Sequence, residues 1–214
     1  METVKKLNHY SIEEVIDTYQ IIRIKKCQVL QDWLTPPPFS LKEHESELLQ
    51  KLPQELEEWQ YAWNEEELKM YFIAPLLRIA DINQKGRIGT FFERKIKGIV
   101  NNIAISVTCD CIVATPKLSG NPDMPYFFLQ EYKRSKGDSH DPEGQMLAAM
   151  LLAQQINHDS KPLYGCWLQG KNWNFTVLRS LDYCVSHQFD ATNPTDLLQI
   201  VFILRKLKDL ILNR

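Results

Sequence analysis

Long apolar runs are missing from this sequence of 214 residues, and no stretch approaches the roughly 20 residues that a bilayer's hydrocarbon core requires. The opening Met1-Glu2-Thr3-Val4-Lys5-Lys6 has no apolar centre of the signal-peptide kind. Neither a membrane protein nor a secreted one is expected. Zinc-site spacing is missing too: Cys27, Cys109, Cys111, Cys166 and Cys184 form no C-x-x-C, and the five histidines form no H-E-x-x-H. The cysteines read as reduced core residues of a cytoplasmic protein, with Cys109 and Cys111, two apart in strand-like sequence, on the same side of a sheet. There is no internal repeat, low-complexity tract, P-loop or helicase motif. An excess of either charge is also lacking. Lys and Arg total 25 against 27 Asp and Glu, a formal net charge of -2, which is not the total of a chain coated in basic residues.

What is present is the make-up of a globular chain, 44% hydrophobic and 24% charged, and long enough for one domain with an elaboration. The small net charge averages two unlike segments. Residues 42–67 hold nine Glu against two Lys, a balance of -7, whereas residues 85–136 hold nine Lys and Arg against four acids, a balance of +5. The acidic run reads as the solvated face of helices. The basic one keeps a nucleic-acid partner in view.

Residues 11–27 open on Ser11 as a helix cap and continue with apolar residues at helical spacing, up to the break at Thr35-Pro36-Pro37-Pro38. Helical patterning resumes over 40–81, with interruptions expected near Pro53 and Asn64, and with Pro75 kinking the last helix or lying in its packed turn. Residues 1–62 read as a helical N-terminal elaboration, and 63–214 as the main domain. Strands are expected over 86–97, 103–115 and 125–134, rich in Ile, Val, Phe and Thr. A helix over 142–157 follows, capped by Asp141 with Pro142 at its first position. A hairpin over 163–168 and 174–178 turns at Gly170-Lys171-Asn172, and a long helix from about 195 to 213 ends the chain. This is an α/β (α+β) domain with a mixed central sheet flanked by helices.

The chemistry is concentrated at Asp110 and at Glu131-Tyr132-Lys133. Side chains alternate along a strand, so Glu131 and Lys133 project from one face, at the end of the apolar run Tyr126-Phe127-Phe128-Leu129. Burying either without a partner is costly. If the preceding strand pairs with this one, Asp110 reaches the same point, and two converging carboxylates are compatible when a hard divalent cation, Mg²⁺ or Mn²⁺, lies between them. The lysine can then orient or deprotonate a water, or neutralise charge on a phosphate.

An Asp, a spacer and then Glu-x-Lys on strands, followed by a helix, resembles the PD-(D/E)XK nuclease superfamily, the restriction-endonuclease-like fold. The resemblance covers roughly residues 63–180 and implies a core in α-β-β-β-α-β order. It implies Mg²⁺, with Mn²⁺ able to substitute, held by Asp110, Glu131 and the backbone carbonyl of Tyr132. Lys133 would position the attacking water and Gln145, on the following helix, would support it. The segment Asn64-Glu65-Glu66-Glu67-Leu68-Lys69 through Phe72-Ile73-Ala74-Pro75 is similar to the first helix of the nuclease domain of type I restriction-enzyme motor subunits, where an acid joins the metal site. Glu65 is the candidate here, with Glu66 and Glu67 as alternatives. Cys109 replaces the proline that usually precedes the first acid, and Ala149 stands where a tyrosine often follows the glutamine.

The implied activity is metal-dependent hydrolysis of phosphodiesters, DNA before RNA, in a homodimer or larger nuclease complex. The alternative is a non-catalytic nuclease-fold module that binds nucleic acid or a partner protein. Arg134 and Lys136 extend the motif as weak phosphate contacts. His140 reads as loop. Trp59, Trp63, Trp167 and Trp173 read as packing anchors, Trp173 being the one able to be exposed near a hairpin tip.

Overall fold

The protein is described by a computed structural model covering residues 5–6, 10–135 and 141–214. Ser11 caps the first helix, its hydroxyl accepting the Glu14 N–H, but that helix is short. Strand β1 (Lys5–Lys6) precedes it, α1 spans Ile12–Tyr19, and Gln20 ends it in the left-handed region, before β2 (Ile22–Arg23) and α2 (Gln28–Leu34). The continuous helical reading of 11–27 is thus divided by a strand, and 1–62 is not wholly helical. The prolines after Thr35 stop α2 as expected.

Helix α3 (Glu43–Trp59) runs through Pro53 without a break, the ring lying buried within the helix. Asn64 does start a new helix, its side chain accepting the Glu67 N–H while Glu67 accepts the Asn64 N–H. This helix comprises α4 (Glu65–Leu68), a π-helical segment over Lys69–Ile73, and α5 (Ala74–Ala80). Pro75 lacks an N–H and would collide with the carbonyl one turn back, and the wider π turn directly before it accommodates both demands.

Three long strands follow: β3 (Gly89–Val100), β4 (Ile103–Pro116) and β5 (Pro122–Lys133). Asn101 and Asn102, both at positive φ, form the tight β3–β4 turn. Helix α6 (Pro142–Asn157) has the predicted limits because its stop and start signals are local: Asp141 accepts the Gly144 N–H and Pro142 fills the first turn. Then come β6 (Leu163–Gln169), β7 (Asn172–Arg179), β8 (Asp182–Val185), β9 (Phe189–Asp190) and α7 (Pro194–Leu212), capped by Asn193.

All nine described strands join one mixed sheet, in the order β1-β4-β5-β6-β7-β8-β2, with β3 on β4 and β9 on β7. β5 and β6 are parallel, joined by the α6 crossover, while β3–β4, β4–β5 and β6–β7 are antiparallel. Two apolar layers cover the sheet. One packs α1 and α6 on Ile105, Val107, Cys109, Ile112 and Leu129, and the other packs α2, α3, α5 and α7 on Cys111, Val113, Phe128, Tyr132 and Phe175.

Within the N-terminal segment, α1 belongs to the first layer and α2 and α3 to the second. Trp33, fully buried, meets Phe128, Tyr164 and Phe175 edge-on and donates its indole N–H to the Ile203 carbonyl at 2.9 Å. Glu45, read as part of a solvated acidic face, is buried and paired with Arg205 at 2.8 Å. Trp173 is fully buried, as a packing anchor should be, whereas Trp59, read as another, is 48% exposed. No described helix is long and apolar enough to cross a membrane.

Candidate active site

The site forms where two strands stop pairing. The β4–β5 ladder ends at the Cys111–Gln130 pair, while β5 continues to Lys133 against β6. On the other edge of β4, the ladder with β3 pairs every residue from Gly89–Ala114 to Val100–Ile103 except Glu93–Asp110. Glu93 has a φ of 51°, outside the extended range, and this leaves the rung unmade. The pleat changes phase there. Cys109 packs beneath α6 and Cys111 in the opposite layer, so the two cysteines do not share a side as a regular strand would require. All five cysteines are free thiols, and only Cys27 is not buried.

Asp110, at this irregularity, turns its carboxylate across the opening, and its Oδ2 accepts the Tyr132 backbone N–H at 2.8 Å. Glu131 and Lys133 share the next face of β5, both buried, with Nζ 3.0 Å from Glu131 Oε1 and 3.3 Å from the Tyr132 carbonyl. Glu65 reaches the same ammonium from the first turn of α4, its Oε1 3.3 Å from Nζ. The alternatives are occupied elsewhere: Glu66 pairs with Lys69, and Glu67 caps Asn64.

Two residues that the sequence reading passed over complete the cluster. Lys69 is buried, with Nζ 2.5 Å from both Glu66 and Glu93 and 6.0 Å from the centre of the Tyr132 ring. Glu93 stands opposite Asp110 and disfavours its ionisation. A signal existed for Lys69, four residues after Glu65 on one helix face. Glu93 carried none, because its pairing depends on the β3–β4 register.

Electrostatically the site is a crowded set of acids around two ammonium groups. Burial pushes Glu131 up to about 8, the Asp110 charge adding to the effect and Lys133 opposing it. Burial also raises Asp110, to about 6, against the Tyr132 N–H and Lys133, with Glu93 and Glu65 contributing to the rise. For Lys133, burial favours the neutral amine, but Glu131, Asp110 and Glu65 outweigh it and hold the ammonium above its ordinary value.

Gln145 lies half-buried in the first turn of α6, its Oε1 without a hydrogen-bond partner among the described residues, and it is not hydrogen-bonded to Asp110, Glu131 or Lys133. Arg134 is exposed directly after the motif, and Lys136 and His140 fall outside the described residues. Arg94, Lys95 and Lys97 are exposed on β3, Lys95 and Lys97 opposite Thr108 and Ser106 of β4.

Among the described residues no group of three or more acidic, histidine or cysteine side chains is placed to hold a metal ion by itself. The donors that do meet are oxygens only: the two strand carboxylates and the Tyr132 carbonyl, with Glu65 beyond Lys133. Mg²⁺ takes one or two protein carboxylates and retains several waters, so this open set fits it better than a metal that needs an all-protein cage. Burial, more than repulsion, holds these carboxylates toward their protonated forms, and a bound cation would favour the ionised ones. No protein-family model matches the chain, and no curated protein matches it.

Proposed function

We propose that this protein is a Mg²⁺-dependent nuclease of PD-(D/E)XK type that hydrolyses phosphodiester bonds, DNA in preference to RNA. The observation that carries the reading is the meeting of Asp110, Glu131 and Lys133 at the open end of the β4–β5 ladder, with Glu65 approaching from the preceding helix. The chain order of helix, three strands, helix and parallel return strand supports the restriction-endonuclease-like assignment.

Asp110, Glu131 and the Tyr132 carbonyl would hold the cation, which when bound supplies Lewis-acid stabilisation of charge on the phosphate. Asp110 is oriented by the Tyr132 N–H and Glu131 by Lys133, so both carboxylates are fixed by the strand ends themselves. Lys133, kept protonated by its acidic neighbours, is suited to donating hydrogen bonds to a water or a phosphate oxygen rather than to removing a proton. Gln145 would act from α6 on the bound substrate or water. The exposed Arg94, Lys95, Lys97 and Arg134 give the surroundings the positive surface that a phosphodiester backbone requires. The preference for DNA comes from the resemblance.

The test is incubation of purified protein with single- and double-stranded DNA and RNA, with Mg²⁺, with Mn²⁺ and with EDTA. Cleavage is expected only with metal, and Glu131→Gln and Lys133→Ala should each lower it by at least about a hundredfold. Cleavage that persists in both variants, or no cleavage of any nucleic acid, overturns the reading. Binding without cutting would favour the non-catalytic module.

A further inference from the structure

We propose that the groove between the C-terminal end of α3 and the α4–π helix binds a cationic side chain, arginine before lysine, presented by a basic segment of a partner protein. The groove has a volume of about 530 Å³ and is lined by Glu55, Trp59, Ala62, Trp63, Glu67 and Tyr71. Its construction follows from helical spacing. Glu55 and Trp59 are four apart on α3, and Glu67 and Tyr71 are four apart on the next helix, so each helix contributes one acid and one aromatic ring from the same face. The turn between the helices supplies Trp63, whose ring lies 5.7 Å from that of Tyr71, tilted by 43°.

Three large aromatics around one opening are uncommon on a surface with no task, and Trp59 and Tyr71 are 48% and 57% exposed. The aromatic faces attract a cation, and two carboxylates on the same rim reinforce the selection. Neither Glu55 nor Glu67 is paired with a lysine or arginine among the described residues; Glu67 spends one oxygen on the Asn64 N–H. Stacked rings also suit a nucleic-acid base, but here the charge is of the wrong sign. Of the nine Glu in residues 42–67, Glu45, Glu65 and Glu66 pair with Arg205, Lys133 and Lys69, and the six that remain outnumber the segment's two Lys, a field that repels a phosphodiester backbone and attracts a basic peptide. A guanidinium is favoured over an ammonium because its plane can lie on an indole while its N–H groups meet a carboxylate.

The inference is independent of the nuclease reading, and its test keeps the two apart. Fluorescein-labelled nonapeptides in which arginine, lysine or glutamine alternates with glycine, and an oligothymidylate nine nucleotides long, are titrated with the full chain in EDTA and followed by anisotropy. The arginine peptide should bind about tenfold tighter than the glutamine peptide, and Trp59→Ala or Glu55→Lys should each weaken it by about tenfold without lowering Tm. Glu47→Lys, with the same charge change elsewhere on exposed α3, should leave binding within about twofold, and Glu131→Gln should have no effect. Equal loss in Glu47→Lys, which would mean diffuse charge attraction, overturns the proposal. So does Trp59-dependent binding of the oligothymidylate, which would make the groove a base platform, and so does failure of the arginine peptide to bind.

Discussion

Asp110 Oδ2 accepts the backbone N–H of Tyr132 at 2.8 Å, taking the place of a β4 partner where the β4–β5 ladder has ended. One oxygen therefore does structural work that a substitution can separate from the charge. Asp110→Asn keeps an acceptor for the Tyr132 N–H and removes the charge beside Glu131. Asp110→Ala removes both and leaves that N–H without its partner, a cost of about 1–3 kcal/mol. In urea unfolding without metal, the alanine variant should be less stable than the asparagine variant by that amount, and the asparagine variant at least as stable as wild type. Both should lose nuclease activity. Equal stability of the two variants would show that the hydrogen bond does not hold the opening together.

The raised carboxylates give the metal-free protein a particular pH profile. Burial pushes Glu131 up to about 8 from an ordinary 4.5, with Asp110 and Glu65 adding to the rise, and pushes Asp110 up to about 6 from 3.8, with Glu93 and Glu65 adding. Over this interval the folded chain binds more protons than the unfolded one, so protonation stabilises the fold fully below the unfolded values and ceases to do so as pH rises through the folded ones. Glu45 and Asp190, which are held below their ordinary values, lose their contribution only under more acidic conditions. Melting in EDTA should show wild type losing Tm between pH 5 and about 8.5 relative to Glu131→Gln. Mg²⁺ should restore most at the alkaline end, where it meets least competition from protons. A flat difference between the two chains would place Glu131 in a solvated setting.

What could be read from the sequence was what is local. Asp141 and Pro142 are adjacent signals, and α6 starts and ends at the predicted residues because its cap, first turn and apolar run lie within one segment. Glu131 and Lys133 are two apart on one strand, so their pairing follows from strand geometry alone. The residues that were missed depend on distant partners. Lys69 needs Glu93, twenty-four positions away, and Glu93 meets Asp110 only through the β3–β4 register. Pro53 was read as a break because proline is costly within an isolated helix, yet the buried face of α3, with Leu49, Leu52 and Leu56, outweighs that local preference. Strands β1, β2 and β9 have two residues each, too few for any period to show.

Trp33 makes the N-terminal segment part of the core. It is fully buried against Phe128, Tyr164 and Phe175, and its indole is anchored on α7 through Ile203. Trp33→Ala should lower the unfolding free energy by about 3–5 kcal/mol, a large share of what a domain of this size usually possesses. A chain beginning at residue 43, without α2 and β2, should show no cooperative urea transition. A truncated chain that unfolds cooperatively near the wild-type midpoint would mean that residues 1–42 are a detachable addition.

Lys133 offers a way to separate cation binding from chemistry. Its ammonium lies 3.0 Å from Glu131 and 3.3 Å from Glu65, so it neutralises the acids and also repels a divalent ion arriving at the same oxygens. In Lys133→Met the alkyl stem is largely retained while the charge is lost. Without metal, the buried acids lose their counter-charge and the variant should melt below wild type. Each carboxylate then also holds its proton more firmly, so the comparison belongs at pH 8.5 or above, where a divalent cation displaces that proton most readily. There, Mg²⁺ should raise the Tm of Lys133→Met by more than it raises that of wild type, because the site has one positive charge fewer. Cleavage should be absent from the same preparation, since the group that would donate to the water or phosphate is gone. A smaller metal-induced rise in the variant than in wild type would mean that Lys133 organises the acids for the cation rather than competing with it, and full cleavage would remove the lysine from the mechanism.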